Sequence, residues 1–318
     1  MACGRGADSR NLSGVRMFAK TFRKSGAGRI GASLSFKSFF FNVIFVFCGF
    51  WCHAASAAEE VVSFVSCKDC PEMVRVKESD FSSFMKSGSS GAAGKRKFAI
   101  GRYEVTNEEY ADFLNDLLKG RKEIKDAWFD GKKNNPKSRL IFKGGRIQIA
   151  KGYERHPVAF VSWVGAVAYT DWLSEKSGQT YRLPTVEEWV IANKAGSRHK
   201  FFYGDELEDM CFYANVVDIS YASVNKAAFV KCDDLNVGPA RVGSFLPNKY
   251  KLFDTTGNVK EWTSSCKPIN KKEEDCESRM TAGGSFSNLG WDDKGLTRTA
   301  EPKTSKSEQV GFRVLLEE

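Results

Sequence analysis

From residue 200 to its end the chain shows no long helical periodicity, although the preceding hundred residues carry clear, capped amphipathic helices. That asymmetry constrains the fold more than any other feature. Helices early and an irregular, Gly/Asn/Asp-rich later half specify an α+β protein, not a doubly wound parallel sheet. With 42% hydrophobic residues in 318, a substantial core is available and disorder is not expected.

Before residue 200 the elements read as follows. "PEMVRV" (71–76) and "KFAIGRYEV" (97–105) alternate and predict strands, with a Gly/Ser/Lys loop over 86–97 between them. Thr106 with Glu109 forms a capping box that opens a helix over 107–119, with Tyr110, Phe113, Leu114 and Leu117 on one face. Turns and short strands follow, marked by Asn135-Pro136 and Gly144-Gly145. A second helix runs from Ser162 as N-cap to Gly178, with Trp163, Ala166, Val167 and Thr170 on one face. A third opens at Thr185 with Glu188 and stops at Gly196.

The net charge of +9 suggests nucleic acid until its position is considered. Residues 1–37 hold eight Lys/Arg against one Asp, leaving the remainder with 40 basic and 38 acidic residues. No nucleic-acid partner is therefore expected. The basic segment leads into "FFFNVIFVFCGFWC" and "HAASAAEE", the parts of a secretory signal cleaved after Ala57 or Ala58. The apolar run is shorter than the ~20 residues that span a bilayer, so an uncleaved membrane anchor is the alternative reading, and Met17 is an alternative start. Residues 1–58 are thus read as basic segment and signal, and 59–318 as a single domain that is periplasmic, at the cell surface or secreted.

Six cysteines remain after the signal: Cys67, Cys70, Cys211, Cys232, Cys266 and Cys276. An even number in an exported chain predicts disulfides, with Cys211–Cys232 and Cys266–Cys276 favoured because each pair flanks a loop. Cys67-Lys-Asp-Cys70 precedes Pro71 and an extended segment and is read as a structural bridge, not a redox site.

The stretches "IGRYEVTNEEYADFLN", "HPVAFVSWVGAVAYTDWLS", "YRLPTVEEWVIANKAG", "KLFDTTGNVKEWTS", "TAGGSF" and "VGFRVL" resemble, in order and over nearly the whole exported chain, the sulfatase-modifying-factor family, whose founding activity is the formylglycine-generating enzyme. The resemblance implies that family's C-type-lectin-like α+β fold with little regular secondary structure. In the enzyme two cysteines after the Gly-Gly-Ser-aromatic run bind copper, and soft thiolates suit Cu(I). The matching positions here are Asn288 and Asp293, neither a thiolate, so copper is not expected.

The family's calcium sites map onto two sets. One comprises Asp254 and Glu261 with the Gly257 and Val259 carbonyls, in a Gly-containing turn that offers the oxygen ligands a hard cation needs. A purely structural turn, in which Asn258 and Glu261 cap neighbouring backbone, is the alternative. The other comprises Asn215, Val216, Asp234 and Asn236, with Leu235 where the family usually has Gly. The resemblance places a substrate groove at Asn288, Trp291, Asp292, Asp293 and Arg298, suited to a peptide, a protein or a small polar ligand. Arg313 reads as structural, and His156 as a structural residue beside Pro157. The leading expectation is an exported binding domain without formylglycine-generating activity. The alternative is a copper-dependent formylglycine-generating oxidase using a displaced thiol, or a related peptide-modifying enzyme.

Overall fold

The computed structural model describes residues 62–77, 97–120, 122–226, 229–266, 276–288 and 296–318. Residues 1–58, expected to hold the signal, most of the loop over 86–97, and Trp291, Asp292 and Asp293 lie outside the described residues. The rest belongs to one compact unit, Ala58–Glu318.

Among the described residues, two short-stranded sheets and a hairpin carry the β structure. The first sheet has the order β1 (Ser63–Val65), β2 (Glu72–Arg75), β3 (Phe98–Gly101), β11 (Leu315–Glu317), β6 (Tyr181–Arg182), antiparallel throughout. The last strand thus lies between β3 and β6, so the C-terminal segment closes the sheet. The second sheet has the order β10 (Val310–Gly311), β7 (Lys260–Cys266), β8 (Ser278–Ala282), β9 (Arg298–Pro302), with β10 parallel to β7. Between β4 (Leu140–Lys143) and β5 (Arg146–Ile149), Gly144 and Gly145 take φ of 63° and 73°. Two successive left-handed residues are what a tight two-residue hairpin needs.

The three long helices form where capping predicts them. Helix α1 (Asn107–Lys119) begins with both halves of the Thr106/Glu109 capping box in place, and Tyr110, Phe113, Leu114 and Leu117 are buried as expected. Helix α2 (Trp163–Ser177) is capped by the Ser162 side chain and ended by Gly178 at φ 70°. Its buried stripe is Ala166, Tyr169, Thr170 and Leu173, whereas Trp163 and Val167 are only partly buried, so the apolar face is rotated from the expected one. The rings decide this: Tyr169 stacks on Tyr110 at 5.9 Å and meets Phe312 at 5.4 Å, burial that Val167 cannot match. Helix α3 (Val186–Lys194) ends at Ala195, itself left-handed at φ 45°, one residue before Gly196. Among the described residues beyond 200, the helices are α4 (Met210–Tyr213) and α5 (Ile219–Asn225).

The main core lies where α1 and α2 meet Trp262 of β7 and the Phe312–Leu316 segment. Three disulfides, Cys67–Cys70, Cys211–Cys232 and Cys266–Cys276, tie down the β1–β2 connection, the α4 region and the end of β7, all pairings as expected. A cross-link restricts the unfolded chain more the longer the loop it closes, so Cys211–Cys232, with a separation of 21, contributes most of the three.

Candidate functional site

The turn Asp254–Glu261 organises the later half. Gly257 sits at φ 76°, and a Cβ there would stand 2.1 Å from the Asn215 carbonyl oxygen, so both conformation and close approach require glycine. Asn258, also left-handed at φ 54°, fastens four segments. Its backbone N–H donates to Asn215 O at 2.8 Å and its carbonyl accepts from Phe286 N at 2.9 Å. Its Nδ2 donates to Glu104 Oε2 at 2.7 Å, and its Oδ1 accepts from Ala240 N at 2.8 Å and Asn215 Nδ2 at 3.1 Å.

Around this turn lie three buried carboxylates and one guanidinium. Arg313 donates through Nε and Nη2 to the two oxygens of Glu261, each at 2.7 Å, while Trp189 Nε1 donates to Oε2 at 2.6 Å. Arg313 also donates to the Gly101 and Phe253 carbonyls. Asp254 accepts from Gly243 N at 2.7 Å through Oδ2, but its buried Oδ1 has no partner. Glu104, fully buried, accepts from Val259 N and Asn258 Nδ2. Burial, followed by the charges of Asp254 and Glu261, pushes Glu104 well above the usual carboxylate range. Burial likewise raises Asp254 to about 6. One guanidinium is too little positive charge for three ionised carboxylates, so protonation or a cation completes the cluster.

Both Glu261 oxygens accept bonds from Arg313 and Trp189, and Asp254 Oδ1 is the side-chain oxygen of this set that has no partner. Glu104 and Trp189 are additions to the sequence-based set, whereas Asn258 fastens neighbouring backbone as in the structural-turn alternative. An acid within the apolar "FAIGRYEV" run was the available signal for Glu104.

The second set is assembled by the loop after Cys232. Asp234 accepts from Val216 N at 2.8 Å and Asn236 N at 2.9 Å, and its own N–H donates to Asp218, whose other oxygen caps α5 through Tyr221 N. Cys211, Asp218 and Asp234 bring candidate ligand atoms within 4.8 Å of one another, the one such trio among the described residues. Cys211 is bridged to Cys232, so its sulfur is no thiolate and the chemistry rests on the two carboxylates. Asn215 Oδ1 is buried without a partner, an oxygen acceptor that a cation would satisfy. Burial and the nearby Asp218 charge raise Asp234 to about 6. The carboxylates of Asp218 and Asp234 offer the oxygen ligands that a hard divalent cation takes. Leu235 adopts φ 67° and is 82% exposed, so the position does require the conformation glycine adopts freely.

The Gly-Gly-Ser wall packs against the same turn. Gly283 O accepts from Gly257 N at 2.8 Å, and a Cβ on Gly283 would press Trp189 at 3.1 Å. Ser285 and Asn288 close a turn through Asn288 N to Ser285 O at 3.1 Å. Asn288, at the first family cysteine position, is half-buried, and Arg298 is exposed at the start of β9. An amide at position 288 does not fit copper, and Cys266 and Cys276 are bonded to each other.

Residues 59–318 match the sulfatase-modifying factor enzyme 1-like domain. The serine/threonine-protein kinase pkn1 of Chlamydia pneumoniae is 29% identical over 197 residues, covering 60% of this chain and 27% of the kinase. The formylglycine-generating enzyme of Mus musculus is 26% identical over 252 residues, covering 68% of this chain and 65% of that enzyme. The chain therefore spans about a quarter of the kinase's length and about two thirds of the mouse enzyme's. Among solved structures, PvdO from Pseudomonas aeruginosa superposes with a TM-score of 0.57 at 24% identity, covering 82% of this chain and 100% of that one. With the family match over most of the chain and the α+β architecture in agreement, the protein belongs to the sulfatase-modifying-factor (FGE-sulfatase) family, with the six cysteines of its domain bridged and no free catalytic pair among them.

Proposed function

We propose that this chain is an exported member of the family that binds a peptide, a protein or a small polar ligand at the surface following the Gly-Gly-Ser-Phe run, without generating formylglycine. The observation that carries this reading is the fate of the thiols. All six cysteines from Cys67 to Cys276 are in disulfides, and position 288 holds an amide. Copper-dependent oxidation of a substrate cysteine needs thiolate ligands, which these residues do not supply. Three disulfides also agree with an oxidising compartment and hence with export.

Asn288 and Arg298, with Trp291, Asp292 and Asp293 between them, are the residues proposed to contact the ligand. A calcium ion held by Asp234, Asn215 Oδ1 and the Val216 and Asn236 carbonyls would order the neighbouring loop and take no part in a reaction. The unpartnered Asn215 Oδ1 supports it.

The test is to incubate the purified protein with copper(I), oxygen and a cysteine-containing peptide, following loss of the peptide thiol and appearance of an aldehyde by mass spectrometry. No turnover is expected. Aldehyde formation that disappears in a Cys266→Ser, Cys276→Ser variant would establish the oxidase reading instead.

A further inference from the structure

A cavity of about 440 Å³ lies away from the Gly-Gly-Ser wall, lined by none of Gly283–Asn288 and not by Arg298. One side is the Leu235–Pro239 loop, and the other is built from Lys137, Arg139 and the Tyr153–Phe160 segment. Its size falls within the range of small-molecule sites.

The charges in this cavity are unevenly answered. Lys137 is paired with Glu308 at 2.6 Å, so neither contributes net charge. Arg139 is half-buried, its guanidinium held over the Tyr153 ring at 3.9 Å, and it has no carboxylate partner among the described residues. Tyr153 in turn packs on His156 at 4.7 Å. Tyr153 thus contacts both Arg139 and, with its ring tilted by 45°, His156. The position of Arg139 is fixed by backbone as well, since its carbonyl accepts from Ala150 N at 2.8 Å. A guanidinium oriented by an aromatic ring and left without a carboxylate is a pre-formed receptor for an oxyanion. Pro157, Val237 and Pro239 supply apolar surface in the same cavity.

We propose that this cavity is a binding site for a small organic anion, its carboxylate or phosphate group held by Arg139 and its apolar body lying on Pro157, Val237 and Pro239. Carboxylate and phosphate share the planar or tetrahedral oxygen geometry that a guanidinium fork matches, and the apolar walls separate such a ligand from a free inorganic ion. His156 serves as an internal reporter. Its burial, then the positive charges of Arg139 and Arg241, hold its imidazole below the usual histidine range, against the weaker opposing pull of Glu154. An anion seated on Arg139 cancels part of that field and moves the His156 titration upward.

The experiment uses the purified full chain at low salt with benzoate, phenyl phosphate, inorganic phosphate and uncharged benzamide. Calorimetry reads affinity, and NMR of the His156 ring reads its titration. The expected result is binding of benzoate or phenyl phosphate with Kd on the order of 0.1–1 mM, none by benzamide, and an upward shift of the His156 titration in the complex. Preference between the two aryl anions identifies carboxylate or phosphate as the physiological group. Arg139→Gln should weaken binding about tenfold or more and Arg139→Lys less, because charge is kept while the fork is lost. Absence of binding by either aryl anion, binding of inorganic phosphate as tight as phenyl phosphate, or an unmoved His156 titration in wild-type protein overturns the proposal, whatever the variants do.

Discussion

Arg313 and Glu261 face each other fork to fork, two bonds of 2.7 Å with neither side chain exposed to solvent. Glu261 is the second residue of β7 and Arg313 precedes β11, so the pair locks the second sheet to the chain segment that closes the first. Removing one partner leaves an uncompensated buried charge, which typically costs about 3–5 kcal/mol. Arg313→Met should therefore lower the unfolding free energy in urea by that order, while the double variant Arg313→Met, Glu261→Gln recovers a large part of it. A loss within ~0.5 kcal/mol for the single variant would show that the pair is dispensable.

Stability should depend on pH through Asp254 and Asp234, both held at about 6 in the folded chain. A raised carboxyl pKa means that the folded chain keeps a proton the unfolded chain releases near pH 4. Stability is therefore fullest below the unfolded value and falls as pH rises toward 6, with Glu104 adding in the same direction. For Asp254 the loss is of order 3 kcal/mol. In EDTA, the Tm difference between Asp254→Asn and wild type should widen in favour of the variant from pH 4.5 to 7. A difference that is flat across this range would remove Asp254 from the balance.

Calcium should act at the Asp234 set and only where that carboxylate is ionised. Millimolar calcium is expected to raise Tm at pH 7 and to have little effect at pH 4.5, by the ordinary linkage of binding to the folded state. Leu235 carries a strained left-handed conformation beside this site, worth roughly 1 kcal/mol. Leu235→Gly is expected to tighten calcium binding in calorimetry without lowering Tm. Equal calcium affinity in the two proteins would mean that the loop is not limiting.

Much of the fold could be read from the chain because its signals are local. Thr106 with Glu109, Ser162 with Gly178, and Thr185 with Glu188 each fix a helix end through bonds made within a few residues. The rotated face of α2 could not be read this way, since it depends on Tyr110 and Phe312, distant in sequence from Tyr169. The turn around Gly257 was visible as a cation-type motif, but the ligand that occupies Glu261 is Arg313, fifty-two residues later. No spacing rule connects those two. Similarly, the Asn215 amide is placed by its Nδ2 bonds to Gly238 O and Asn258 Oδ1, residues distant in sequence, which leave its Oδ1 without a partner.

The state of the six cysteines decides most directly between a binding domain and an oxidase. Thiol labelling of the purified protein, under native and then denaturing conditions, followed by mass spectrometry and metal analysis, reads it in one experiment. No label on Cys67, Cys70, Cys211, Cys232, Cys266 or Cys276 under either condition, with calcium and no copper, is the result expected from these bridges. A labelled Cys266 or Cys276 in protein that co-purifies with copper would contradict it.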